Sequence, residues 1–280
     1  LPYRAEISRR HPGYFIFIID RSASMNDQHG RNSDKSKAES VADAINRIIQ
    51  NIVIQCSKNE GVYDYFSVSV IGYGSEVGSA FCGPLAGRPF ASTSELEANP
   101  ARLEKRKQRV PDGAGGLVEL EVKFPIWFDA VASGSTPMRR ALGSAYGLAE
   151  AWIRDNPDGY PPIVMNLTDG ESSDGDPGEA ARKLTSLKTS DGNVLLFNMH
   201  LSAEAGAAVL YPASETALDD PFARQLFSIS SQLPEAMLQQ ALAMELPVRQ
   251  GSRGFVFNGD VVSAIQFLEI GTKPANMALR

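Results

Sequence analysis

An α/β fold with a doubly wound, mostly parallel central sheet, helices on both faces and one antiparallel edge strand is predicted for this 280-residue chain. Two observations predict it. Short apolar runs rich in β-branched and aromatic residues recur along the sequence, as strands buried on both faces do. Between them lie segments whose apolar residues repeat at helical spacing, and strands alternating with helices in this way build a parallel sheet.

Tyr14 to Ile19 is the first continuous apolar run and reads as a central strand. Val41, Ile45, Ile48 and Ile52 then recur at helical spacing, with Ser36 and Glu39 placed as a capping box at the start. Phe66 to Tyr73 is a second strand, and Val118 to Phe124 alternates with period two, which predicts a strand with one wet face at the sheet edge. Gly74 to Gly116, between these two, is rich in Gly, Pro and charge and predicts a solvated insertion with one short helix near Leu96 to Arg106, a candidate partner surface. Met138, Leu142, Ala145, Ala149 and Trp152 mark a second long helix led by Pro137. Ile163 to Thr168 is a strand, Pro177 to Leu187 a helix, Val194 to Met199 a strand, and Gly254 to Asn258 the last strand before a helix that follows Asp260. Helices are predicted at Phe222 to Ile229 and Glu235 to Leu246. The resulting organisation is a single domain over 13–271, with an insertion at 74–116, a helical appendage at 203–250, and tails at 1–12 and 272–280.

Hydrophobic residues make up 43% of the chain and charged residues 21%, which is globular and excludes a disordered chain. Lys and Arg number 27 against 33 Asp and Glu, a net −6 that offers no field for a phosphate backbone or an anionic leaflet. Nucleic acid and membrane are therefore excluded as expected partners, and no apolar stretch nears the roughly 18 residues a bilayer requires. Cys56 and Cys82 are too few for a disulfide framework or a zinc cage. With the polar Leu1 to Gly13 segment in place of an apolar leader, they point to a reducing, cytoplasmic setting.

In an open parallel sheet, ligands bind beyond the carboxyl ends of the strands. Three polar clusters fall there: Asp20-Arg21-Ser22-Ala23-Ser24, Gly134-Ser135-Thr136-Pro137 and Thr168-Asp169-Gly170. They offer carboxylates and hydroxyls without His or Cys, a donor set for Mg²⁺, Mn²⁺ or Ca²⁺ rather than zinc or copper. Each cluster also has a plainer reading, since Asp20, Ser22 and Ser24 can cap a turn, Thr136 can cap the helix after Pro137, and Asp169-Gly170 can be a turn alone.

Asp20-x-Ser22-x-Ser24, the distant Thr136 and the distant Asp169 together resemble the metal-ion-dependent adhesion site of the von Willebrand factor A domain family. The resemblance spans roughly Gly13 to Gly271 and implies a Rossmann-like fold of that family. It further implies that Ser22, Ser24 and Thr136 ligate a cation through hydroxyls, with Asp20 and Asp169 acting largely through water. Mg²⁺, which keeps waters in an octahedral shell, suits that arrangement better than Ca²⁺. Neutral ligands leave the cation electrophilic, so its open position favours an Asp or Glu carboxylate from a partner protein. Gly134 to Met138, Ala114 to Val118 and Gly254 to Asn258 look most like stand-alone bacterial members associated with tellurium resistance and stress signalling, which implies a non-catalytic scaffold or regulator.

Two other functions compete. Asp20 beside a Mg²⁺ would serve a phosphoryl-transfer or hydrolytic enzyme, but a haloacid-dehalogenase-like site needs an aspartate where Ser22 stands. Nucleophile-elbow, zincin and phosphate-loop motifs are absent, and Gly72-Tyr73-Gly74 fails as a dinucleotide loop because position 77 is Val. His11, His29 and His200 read as structural or solvated, His29 alone falling in the loop after the serines. A secreted adhesion protein is the other competitor, disfavoured by the cysteines and the polar start. Asp174 stands where a calcium loop counted from Asp169 needs Gly, so Glu171, Asp174 and Asp176 read as a solvated acidic loop.

Overall fold

Every residue of Gly13–Asp20 (β1) is buried, so this strand must be covered on both faces and flanked on both edges. The computed structural model, which describes residues 2–5, 7–28, 34–111, 117–201 and 208–272, shows how. Phe66–Tyr73 (β2) pairs with one edge of β1 and Ile163–Thr168 (β7) with the other, both in parallel. Beyond β7 the sheet continues through Leu195–Leu201 (β8) and Phe255–Gly259 (β10), again in parallel. The doubly wound, mostly parallel architecture predicted from the sequence is present.

Antiparallel strands close the sheet at both sides, but they are not the segment that period-two alternation selected. Val77–Ser79 (β3) and Ala91–Ser92 (β4) pair with β2, and Val209–Leu210 (β9) pairs with β10. Leu117–Ile126 (β6) instead pairs with Arg102–Pro111 (β5) in a two-stranded ladder separate from the central sheet. Alternation reports one wet face and cannot say which sheet a strand joins. The 74–116 stretch is correspondingly built from β3, β4, the helix Thr93–Ala98 (α2) and the first strand of this hairpin, with the helix ending before the charged run rather than including it. Its residues 112–116, together with His29, lie outside the described residues.

Side chains alternate between two helical layers. Phe15, Phe17 and Ile19 face one core with Lys37–Cys56 (α1), Glu235–Ala243 (α6) and Val261–Thr272 (α7). Tyr14, Ile16 and Ile18 face the other with Met138–Asp155 (α3), Gly178–Ser186 (α4) and Pro221–Ile229 (α5). Burying each such side chain stabilises the fold by about 1.5–3 kcal/mol relative to exposure. Thus α5 and α6 are not an appendage: Leu226 and Phe227 pack in one layer, Met237 and Leu238 in the other. Nor are the described residues of 1–12 a loose tail, because Ile7 is buried in the core and the Arg4 and Ala5 amides donate to Asp191.

The capping box read from Ser36 and Glu39 is formed at the start of α1. Strand order runs β9-β10-β8-β7-β1-β2-β3, so the chain winds outward from β1 through β2 and later returns to its other edge at β7. That reversal makes the carboxyl ends of β1 and β7, where Asp20 and Thr168 stand, the switch point of the sheet.

Candidate metal centre

Asp20 is the last residue of β1 and is fully buried. Burial pushes its carboxyl up to about 6, against hydrogen bonds from Ser22 and Thr168, and neighbouring Asp169 adds to the rise. Its Oδ1 accepts the Ser22 amide at 2.8 Å and its Oδ2 the Thr168 hydroxyl at 2.7 Å. The turn after β1 then brings the Ser22 and Ser24 hydroxyls to 3.0 Å, with Met25 sunk in the core as its anchor. Ser24 donates to Asp169 Oδ1 at 2.8 Å. Four of the five predicted site residues therefore form one connected polar chain between two strand ends.

Thr136 arrives on a third loop that is stitched to both others. Ser133 donates its amide to the Arg21 carbonyl at 2.6 Å, and the Gly134 carbonyl accepts the Ala23 amide at 3.1 Å. Gly134 has φ +86°, and a Cβ there would stand 2.3 Å from the Ser75 nitrogen, so this close crossing requires glycine. On the other side, the Thr136 amide donates to the Ser173 hydroxyl at 3.0 Å while its carbonyl accepts the Ser173 amide at 2.8 Å. The Thr136 hydroxyl lies 3.9 Å from where a Cβ on Gly170 would stand, which sets it at the loop that follows β7.

Thr136 is not the cap of α3. The residue before the helix is Pro137, which makes no side-chain cap, and the acidic loop supplies one instead. Asp174 accepts the Arg139 and Arg140 amides, both at 3.0 Å, and Asp176 accepts the Gly178 amide at 2.8 Å and the Gln225 side chain at 3.0 Å. The loop predicted as merely solvated thus fastens three helices around the site. Of the histidines, His11 meets the Asp158 carbonyl at the opposite edge of the sheet, and His200 stacks on Phe257 with ring centroids 4.5 Å apart.

Lys37, the first residue of α1, is the member that the sequence reading missed. Its side chain is 7% exposed, and its ammonium meets Asp169 Oδ2 at 2.8 Å, with Asp27 Oδ2 3.7 Å away. A lysine in the first turn of a helix opposes the helix dipole, and that misplaced charge was the available signal.

Asp20, Ser22, Ser24, Thr136 and Asp169 bring only oxygen donors to this end of the sheet, and among the described residues no cluster of three or more His, Cys, Asp or Glu exists to hold a metal another way. The set fits a hard cation that retains water, and not one needing several carboxylates. Arg21 turns away: its backbone amide joins the Tyr73 carbonyl at 2.7 Å, and its guanidinium points toward the Ala80 and Asp129 carbonyls.

No protein-family model and no curated protein sequence matches this chain. Among solved structures it is similar to proximal thread matrix protein 1 from the mussel byssus, at 12% identity over 95% of this chain and 48% of that one, with a TM-score of 0.44. It is similar to the ArnB paralog VWA2 from Sulfolobus acidocaldarius at 14% identity over 70% of this chain and 36% of that one, with a TM-score of 0.36. The vWF domain of the type V pili tip protein Mfa5 from Porphyromonas gingivalis gives 12% identity over 58% of this chain and 39% of that one, with a TM-score of 0.32. The chain spans less than half the length of each.

Proposed function

We propose that this chain is a non-catalytic protein-interaction module whose binding depends on a divalent cation, Mg²⁺ in the first place. Ser22, Ser24 and Thr136 would hold the cation through hydroxyls, and Asp20 and Asp169 through water. The observation that carries this reading is the polar chain of Asp20, Ser22, Ser24 and Asp169 at the switch point of the sheet, with Thr136 beside it on a third loop, its hydroxyl reaching the loop after β7.

Bound there, the cation would supply one electrophilic open position. The protein's own residues do the rest. Thr168 and the Ser22 amide hold the Asp20 carboxyl in a single orientation, and Ser24 bridges the serine loop to Asp169. Hydroxyl donors cancel little of the positive charge, so the open position favours the Asp or Glu side chain of a partner protein. On the likeness of Gly134 to Met138, Ala114 to Val118 and Gly254 to Asn258 to stress-associated bacterial members, and on the two cysteines, we read the chain as a scaffold or regulator in bacterial stress signalling inside the cell.

Titration calorimetry with MgCl₂ tests the site. Mg²⁺ binding is expected in the wild type and absent in Asp20→Ala, whose folded state is verified by circular dichroism because the substitution also takes the acceptor from the Ser22 amide and the Thr168 hydroxyl. Binding that survives Asp20→Ala places the cation elsewhere. The complex captured from the native cell should dissolve in chelator, and Thr136→Ala should weaken it more than it weakens Mg²⁺. Purified protein should not hydrolyse p-nitrophenyl phosphate, ATP or casein; metal-dependent turnover lost in Ser22→Ala establishes an enzyme instead.

A further inference from the structure

We infer that Lys37 is a built-in counter-ion that holds the centre closed without metal and must be displaced when a divalent cation binds. This rests on the cation-site reading above and adds a regulatory element to it. Three observations converge. The Lys37 side chain is 7% exposed, so its charge has left bulk water and needs a partner. It stands at the start of α1, where the helix dipole disfavours a cation. Its inner partner is Asp169, whose side chain is fully buried and whose other oxygen already accepts the Ser24 hydroxyl. Both oxygens of Asp169 are thereby engaged, one by a hydroxyl of the candidate ligand set and one by an ammonium.

A second resting place for the ammonium is beside it. Asp27 Oδ2 lies 3.7 Å from Nζ, and its side chain is 65% exposed against 0% for Asp169. The Asp27 carbonyl also accepts the Lys37 amide at 2.9 Å, so the two residues stay adjacent while the side chain moves. Ser36 and Glu39 cap α1 independently of the Lys37 side chain. The ammonium can therefore pass from the buried to the exposed carboxylate by side-chain rotation, with the helix intact. A dication among the serines would repel the ammonium from Asp169, and loss of the ammonium in turn exposes that oxygen to the metal or its water. The exchange leaves the buried carboxylates compensated in both states. It also lowers apparent metal affinity, because each binding event must first break the Lys37–Asp169 pair.

MgCl₂ titrations of the wild type, Lys37→Met and Lys37→Arg test this. Met keeps the length of the stem without charge, and Mg²⁺ should bind it at least about tenfold more tightly than it binds the wild type, whereas Arg should stay within about threefold of the wild type. Adding Asp20→Ala to Lys37→Met should abolish the gain. Equal affinity in wild type and Lys37→Met, with Asp20→Ala still abolishing binding, overturns the role of Lys37 and leaves the cation site standing. Failure of both folded proteins to bind Mg²⁺ overturns both. The wild type alone gives a second readout: acetylation of Lys37 by an N-hydroxysuccinimide ester, followed by peptide mass spectrometry, should rise severalfold on saturation with Mg²⁺. Unchanged labelling of a Mg²⁺-loaded protein shows that the lysine does not move, and decides the matter even if Lys37→Met does not fold.

Discussion

Asp174 does for α3 what no residue in that helix's own first turn does. Its carboxylate takes the Arg139 and Arg140 amides, so the cap of one helix is contributed by the loop after β7. Asp174→Ala should cost about 1–2 kcal/mol, read as a lower urea midpoint, and Asp174→Asn should recover part of it. Partial burial alone would raise this carboxyl, but the Arg140 amide, the Ser172 hydroxyl and the Arg139 amide hold it below the usual range. A depressed folded-state value means the cap contributes fully above the unfolded carboxyl's pKa of about 4 and is lost as pH falls through the lower folded value. The difference in stability between wild type and Asp174→Asn should accordingly shrink on acidification below about pH 4. A difference that persists to the lowest pH at which both proteins remain folded would show that the charge is not what stabilises α3.

Among the elements, the strands are joined beneath the site by more than backbone pairing. Tyr73 on β2 donates to Asn166 on β7 at 2.9 Å, Asn166 donates to Asn198 on β8 at 3.0 Å, and Asn198 donates to Ser230 after α5 at 2.9 Å. All four residues are buried, so each link removed strands a polar group in an apolar layer. Asn166→Leu breaks two links at once and should destabilise by about 2–6 kcal/mol, the sum of two unsatisfied partners. Gly134→Ala acts differently, because the new methyl collides with the Ser75 backbone only in the loop. It should leave the far-ultraviolet circular dichroism of the sheet and helices unchanged and yet weaken Mg²⁺ binding at least about tenfold, by moving Thr136.

At the scale of the whole molecule, the β5–β6 hairpin stands apart from the central sheet as the longest of the separate two-stranded ladders among the described residues. It is rooted firmly: Asn46 on α1 accepts the Trp127 amide and donates to the Phe128 carbonyl, and Trp127 donates its indole N–H to the Leu96 carbonyl. Further out, Arg106 lies 3.8 Å from the Phe124 ring centroid and pairs with Asp43 on α1. Around and beyond that point the ladder's side chains form exposed pairs such as Lys105–Glu121 and Lys107–Glu119, which contribute little to stability. Replacing residues 108–120 by a two-residue turn should shift the melting temperature by less than about 3 °C, the effect of under about 1 kcal/mol in a chain of this size. A larger loss in differential scanning calorimetry means the distal ladder supports the domain.

The sequence by itself determined the strands at the centre of the sheet and the helices that flank them, and it nominated Asp20, Ser22, Ser24, Thr136 and Asp169 as candidate ligands. A doubly buried strand such as Tyr14 to Ile19 must be apolar throughout, and Ser36 with Glu39 caps a helix through bonds that span only a few residues. Such features are local, and local features are written in local spacing. Which sheet Val118 to Phe124 joins, where α5 and α6 pack, what caps α3 and what neutralises Asp169 were decided only in the tertiary structure. Each depends on a partner far away in the chain, Asp174 with Arg139 and Arg140 or Lys37 with Asp169, and period and composition carry no information about which distant group will stand opposite. The lysine shows the physical reason most plainly: an ammonium at the start of a helix is unfavourable on every local count, and only the fold supplies the buried carboxylate that holds it there.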